Sequence, residues 1–340
     1  MVCAMRSTPR TGSSARGGEI VALLEVKDLD VGFDTPDGEV HAVNHLNFSV
    51  EAGETLALVG ESGSGKTQTV MAILGLLAEN GHARGQALFK GKDLLAMSAS
   101  ELNLHRGSEI AMIFQDPMTS LNPYLNIEKQ MVEVAMHHQG LKRAEARAHA
   151  VEVLRAVRIP DPERIIRQYP HEFSGGMRQK VLVAMGLLSE PELLIADEPT
   201  AALDVTVQAQ ITHLMSTLQK KSNPAIILIS HDLGIVAGSC DRVLVMYAGE
   251  AVECGTVEQI YYEPRHPYTQ GLLKSVPRLD QAAERELEAI PGNPPNPLNL
   301  PDGCRFRDRC PKAFDACTEK PPMQVGEDRH PFRCWLGAGE

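Results

Sequence analysis

The stretch Gly60-Glu61-Ser62-Gly63-Ser64-Gly65-Lys66-Thr67 decides how this chain is read. It fits the pattern G-x-x-x-x-G-K-[ST], a glycine-rich loop that cradles phosphates. Leu56-Ala57-Leu58-Val59 in front of it reads as a buried strand, and Thr69 to Leu77 behind it as a helix. That strand–loop–helix setting separates the motif from a chance glycine-rich turn. Backbone N–H groups of such a loop point at the phosphates, and the following helix N-terminus adds favourable partial charge. Lys66 is expected to reach the β and γ phosphates and the Thr67 hydroxyl to ligate Mg²⁺. The run from Gly60 to Gln68 is therefore the expected nucleotide contact.

Working outward, Leu23 to Val31 reads as a first strand. Asp34 to Gly38 reads as a turn, with a second strand near Val40. Ile110 to Phe114 is a further apolar strand. From about Asp116 to Ser189 the pattern turns helical, with segments over Glu128–His138, Arg143–Val157 and after Ser174. Leu193–Ala196 and Ala225–Ile229 are continuous apolar runs, as suits strands buried on both faces of a parallel sheet. A helix over Val205–Lys221 lies between them. After about Tyr262, prolines interrupt every candidate helix, so an irregular extension is expected there.

A second chemical signal is Leu193-Leu194-Ile195-Ala196-Asp197-Glu198-Pro199, an apolar strand ending in two acids. Asp197 can hold Mg²⁺ through water, and Glu198 is then placed to polarise an attacking water. A third is Phe173-Ser174-Gly175-Gly176-Met177-Arg178-Gln179. Ser174 is a good N-cap, and the two glycines leave backbone amides open to a phosphate.

Composition sets the limits. The 340 residues carry a net charge of −11, which argues against a general nucleic-acid surface. No apolar run approaches the roughly 18 residues that a membrane span needs. A soluble chain, or one peripheral on a membrane partner, is expected. Residues 1–19 are basic, with Arg6, Arg10 and Arg16, and lack the apolar core of a secretory signal. A disordered arm or an over-called start site is expected there; an arm touching anionic lipid is the alternative.

The combination of a phosphate loop, S-G-G-x-x-Q at a helix start, a strand ending D-E-P, and a histidine after the next strand resembles the ABC ATPases. The resemblance covers Leu23 to about Tyr262. It implies an α/β fold: an ABC-type P-loop cassette with a RecA-like core, an antiparallel β subdomain and a helical subdomain over about 116–189. Ser174, Gly175, Gly176 and Gln179 then lie in the signature motif, which binds the γ-phosphate held by a partner subunit. Gln115 matches the Q-loop glutamine, which contacts Mg²⁺ and senses the membrane subunit. Ala201 to Asp204 matches the D-loop, and Asp204 is counted with the nucleotide residues. His231 matches the switch histidine that orients the γ-phosphate, and Phe33 lies where an aromatic ring stacks on adenine. Met177 and Phe173 replace residues common in other branches, at positions that supply no essential chemistry. The implied catalytic set is Glu198, His231, Gln115 and Lys66. Each half-site is incomplete in one subunit, so ATP would hold two cassettes together and hydrolysis would release them.

His266-Pro267-Tyr268-Thr269 with Leu272-Leu273, the run Asp116 to Pro123, and Ala202 to Gln208 are similar to the oligopeptide and dipeptide ABC importers, most of all to their D-type ATPase subunit. This implies a cassette over 20–262 and an extension over 263–340. It also implies a second F-type ATPase, two permeases and a substrate-binding protein as partners, at the cytoplasmic face of the inner membrane. Nickel and glycan importers share the extension and remain rival readings. A soluble ABC ATPase on DNA or ribosomes is a rival from another class; it usually needs two cassettes, a long coiled coil or a basic surface, none of which is evident here.

Of seven cysteines, Cys3, Cys240 and Cys254 are scattered. Cys304, Cys310, Cys317 and Cys334 have the spacing C-x5-C-x6-C-x16-C. Four thiolates suit zinc or an iron–sulfur cluster, and the absence of a C-x2-C pair is less typical of zinc. The resemblance favours [4Fe–4S], pinning a tail with no core of its own. Charge does not decide between the metals, because Arg305, Arg307, Arg309 and Lys312 could offset thiolates on any of them.

Overall fold

The computed structural model describes residues 22–201, 203–275 and 289–337. The arm over 1–19, Cys3 and Ala202 of the D-loop lie outside the described residues. The chain divides into two units: Met1–Glu51 with Leu56–Ala96 and His231–Glu340, and Ala52–Thr55 with Met97–Ser230.

The first unit opens with an antiparallel sheet. Leu24–Thr35 lies between Gly38–Val50 and Gly81–Phe89, and Lys92–Asp93 closes the edge. The expected turn is tight, since Thr35 pairs with Gly38. Gly38 has φ 129°, a conformation that side chains other than glycine's resist. In the same unit Leu56–Val59 runs parallel to Arg242–Tyr247, with Leu56 opposite Arg242 and Val59 opposite Val245. Arg242–Tyr247 and Glu250–Thr256 form an antiparallel pair. Residues 56–59 and 242–247 are buried throughout, as strands covered on both faces must be. This apolar ladder carries the phosphate loop at its tip.

The second unit holds three parallel strands, Ile110–Ile113, Leu193–Asp197 and Ala225–Ser230. Its helices include Ile127–Gln139, Arg143–Ala156, Gly175–Leu187 and Val205–Ser222. Caps explain the boundaries. Asn126 accepts from the Lys129 amide, and Gly140 ends that helix in the left-handed conformation.

The extension differs from the expectation in two ways. First, Pro267–Lys274 is a helix, with Pro267 in its first turn and His266 as its cap. Proline is tolerated at that position because its missing N–H would have had no partner there. Second, the tail does have a core. Tyr268, Leu273 and Phe306 pack into one buried cluster with Val243, Val245 and Val252. The rings of Tyr247, Tyr268 and Phe306 meet in all three pairings, with centroids 4.6, 5.2 and 5.4 Å apart. The extension also adds strand Pro331–Phe332 to the sheet, Phe332 opposite Glu253.

Candidate active site

In the first unit the loop after Leu56–Val59 is shaped by glycines that nothing else could replace. A Cβ at Gly60 would come 2.2 Å from the Met246 carbonyl oxygen, and one at Gly65 2.4 Å from that of Ala42. Gly65, at φ 99°, is the cap of helix Lys66–Ile73. Ser62 and Gly63 are exposed at the loop's outer edge, while Ser64, Gly65 and Lys66 are buried. Lys66 Nζ donates to the carbonyls of Gly60 and Glu61, each at 2.8 Å, and to Ser64 Oγ at 3.1 Å. The ammonium is thus held on the loop's inner side. Thr67 and Gln68 follow on the first turn, both half-buried. Phe33 is half-buried on its strand, its ring edge so close to Gly81 that a Cβ there would sit 2.7 Å away. His231 is exposed, just before Asp232, whose carboxylate caps helix Leu233–Ala237 by accepting from the Gly234 amide at 2.7 Å.

In the second unit Asp197 ends its strand and is buried. Glu198 follows at φ 44°, a left-handed turn that aims its side chain off the strand axis. The turn is held by the Glu198 amide donating to the Ile229 carbonyl at 3.0 Å, and by the Ala201 amide donating to the Glu198 carbonyl at 3.0 Å. Gln115 Nε2 donates to Glu198 Oε2 at 2.8 Å, joining two expected site residues that are 83 positions apart. Ser174 caps helix Gly175–Leu187 by accepting from the Met177 amide at 3.4 Å. A Cβ at Gly176 would lie 2.9 Å from Val207 Cγ1, so the signature helix approaches the helix that Asp204 caps. Asp204 accepts from the Val207 amide at 3.0 Å. Gln179 is buried on that helix, with no hydrogen-bond partner to its Nε2 among the described residues.

Two matches to known proteins bear on this geometry. Residues 43–201 match the ABC transporter family, and residues 252–317 match the C-terminal region of oligopeptide/dipeptide transporters. The oligopeptide transport ATP-binding protein OppD of Salmonella typhimurium is 57% identical over 303 residues, 89% of this chain and 90% of that one. The chain belongs to the oligopeptide/dipeptide branch of the ABC transporter ATP-binding proteins. The dipeptide transport ATP-binding protein DppD of Lactococcus lactis is 50% identical over 92% of this ABC chain and 90% of its own length. The solved dimeric ATP-binding cassette MJ0796, with ADP and Pi, aligns at TM-score 0.63 over 69% of this ABC chain and 98% of its own. At 22% identity that likeness speaks for the cassette fold.

In this ABC chain the four clustered cysteines all line one cavity, together with Phe306 and Trp335. All four are free thiols. Burial pushes Cys304 up to about 11 and raises Cys310 and Cys334. Among the described residues, no three His, Cys, Asp or Glu side chains converge tightly enough to hold a metal ion. Two of the basic residues between the cysteines pair with the cassette. Arg305 pairs with Glu250 at 3.4 Å, and Arg309 with Glu61 of the phosphate loop at 2.6 Å. Those two guanidiniums pair with carboxylates of the cassette, whereas Lys312 lines the cysteine cavity and its charge offsets part of the effect of burial on Cys310. No local signal announces these pairings, because each joins segments far apart in the chain. No helix among the described residues is long and apolar enough to cross a membrane.

Proposed function

We propose that this chain is the ATP-hydrolysing subunit that energises uptake of oligopeptides or dipeptides through a membrane-embedded ABC importer. The observation that carries the peptide assignment is the match of residues 252–317 to the C-terminal region of oligopeptide/dipeptide transporters. Names of the curated relatives support it, being oligopeptide and dipeptide transport ATP-binding proteins. The chain would work with a second ATPase subunit, two permeases and a substrate-binding protein, as a peripheral protein at the cytoplasmic face of the inner membrane. A cassette over 20–262 would do the chemistry, and the extension over 263–340 would mark the branch.

The residue roles follow from chemistry. The exposed amides of Ser62 and Gly63, with Lys66, would hold the phosphates. Thr67, Gln115 and Asp197 would hold Mg²⁺, which neutralises charge developing on the phosphoryl oxygens. Glu198 would accept the proton of the attacking water, with Gln115 fixing its carboxylate. His231 would orient the γ-phosphate. Ser174, Gly175 and Gly176 would complete the site of a partner cassette, and Phe33 would stack on adenine.

The four cysteines that line one cavity are the proposed holders of a metal centre. Zinc needs ligands about 2.3 Å from a single point. The C-x5-C-x6-C-x16-C spacing, with no C-x2-C pair, and the resemblance to the peptide importers favour [4Fe–4S] over zinc. Binding would displace the thiol protons, and the centre would serve as a cross-link within the tail. Anaerobically purified protein should carry about four iron and four sulfide per chain. Stoichiometric zinc instead would assign the cavity to that metal.

Uptake of a labelled tripeptide tests the function, in cells lacking the native chain and carrying this one or its Glu198→Gln form. Uptake that requires Glu198 and yields only to competing peptides is expected. Competition by Ni²⁺, or failure to restore peptide uptake when the chain assembles with permeases, would reject the peptide reading.

A further inference from the structure

Glu61 is the second residue of the phosphate loop, and its backbone and carboxylate are all engaged. Within the loop its carbonyl accepts from Lys66 Nζ at 2.8 Å and from the Ser64 amide at 3.2 Å. Its other partners come from the extension. Its amide donates to Tyr268 Oη at 2.8 Å. Its carboxylate receives both terminal nitrogens of Arg309, Nη1 to Oε2 at 2.6 Å and Nη2 to Oε1 at 2.9 Å. These partners lie 207 and 248 residues along the chain.

Both anchors are themselves fixed. Tyr268 is fully buried, with its ring against Tyr247 and Phe306. Arg309 is 8% exposed; its Nε donates to the Pro291 carbonyl at 2.8 Å and its Nη1 to Tyr247 Oη at 3.2 Å. A two-pronged guanidinium–carboxylate pair defines direction as well as distance, which a lysine could not do. Prolines 294, 295 and 297 of the extension further line a small cavity against Glu61, Ser62 and Ser64. The outer edge of the loop is thereby backed by the extension.

A loop that must offer several amides to one phosphate loses affinity if it has to be ordered on binding. We propose that Arg309 and Tyr268 are positioning residues for nucleotide binding, holding Glu61 so that the loop's amides are set for a polyphosphate before it arrives. The extension is then part of the nucleotide machinery, and its place in the chain does more than mark a transporter branch. The pairing rests on cassette and tail alone and requires nothing at the cysteines.

The test uses the full-length chain, with binding of Mg-ATP and of adenosine measured side by side. Tyr268→Phe keeps the packing and removes only the acceptor. Arg309→Lys keeps the charge and removes the fork. Arg309→Gln and Glu61→Gln break the pair from either side. ATP affinity should fall about tenfold in Arg309→Gln and Glu61→Gln, and about threefold in Tyr268→Phe and Arg309→Lys, while adenosine affinity holds within about twofold. The Arg309→Gln/Glu61→Gln double variant should bind ATP no worse than the weaker single variant. Should Arg309→Gln fail to fold, Tyr268→Phe and Glu61→Gln carry the comparison. Unchanged ATP affinity in folded variants, a parallel loss of adenosine and ATP, or additive losses in the double variant would each overturn the proposal.

Discussion

Glu198 shows how much chemistry one backbone angle can arrange. The left-handed turn at φ 44° costs energy for a side chain with a Cβ. It leaves the carboxylate half-buried and held by Gln115 at 2.8 Å. Glu198→Gln keeps size and a hydrogen bond to Gln115 but cannot take a proton. Its phosphate release should fall by about a hundredfold or more while ATP binding is retained. Normal turnover in that variant would remove Glu198 from the proposed role of base. Lys66 makes the complementary case. Its ammonium donates to the Gly60 and Glu61 carbonyls and to Ser64 Oγ, and is the loop's positive charge. Lys66→Ala should weaken ATP binding by about 10- to 100-fold, read by equilibrium titration, since a charged hydrogen bond is the unit lost.

At the scale of elements, Glu253 ties a strand to the helix that starts the extension. Its carboxylate is fully buried and accepts from the amides of Arg265 at 2.7 Å and His266 at 3.0 Å, with His330 Nε2 2.9 Å away. Burial alone would push this carboxyl up, but His330 and Thr269 close beside it and the two amides that donate to it outweigh burial and hold it below its ordinary value. Glu253→Ala strands those donors without water, so it should lower the thermal midpoint by an amount worth about 2–4 kcal/mol. Glu253→Gln, which keeps an acceptor oxygen, should recover part of that. Because the folded carboxyl is the stronger acid, its contribution is fully present above pH 4.5 and is lost as the pH falls further. A midpoint unchanged in Glu253→Ala would show that the turn is held by other means. The same scale explains what the sequence could tell. The buried parallel strands and the helices Ile127–Gln139 and Arg143–Ala156 lie within a residue or two of their expected bounds, because periodicity and caps are local. Helix Pro267–Lys274 was hidden, because proline reads as a breaker unless its place in the first turn is known. Strand Pro331–Phe332 is two residues long and exists only through its pairing with Glu253, which no local pattern encodes.

For the molecule as a whole, the open matter is what holds the C-terminal extension to the cassette. Several attachments act without any metal, among them the Tyr247–Tyr268–Phe306 cluster, the Arg309–Glu61 and Arg305–Glu250 pairs, the Glu253 hydrogen bonds, and strand Pro331–Phe332 on its neighbour. The motif residues of the phosphate loop could be read from sequence because their order along the chain is the motif. Arg309 could not, because the 248 residues that separate it from Glu61 carry no trace of the contact. A cysteine-bound centre would add a cross-link within the tail, confined to residues 304–334, since the lining thiols begin and end there. Cys310→Ser would remove one proposed ligand, at the residue beside Arg309. The aromatic cluster should keep helix Pro267–Lys274 in place, so the cassette stays folded and new protease cuts appear only beyond Cys304. If Arg309 also loses its register, ATP affinity should fall in the same variant, by less than in Arg309→Gln. Limited proteolysis with mass mapping, run beside an ATP titration, reads both effects. Unchanged protease resistance would mean that the aromatic core and the Arg309–Glu61 pair hold the tail without help from the thiols. Cuts spreading into the cassette would mean that the extension is part of its folding unit.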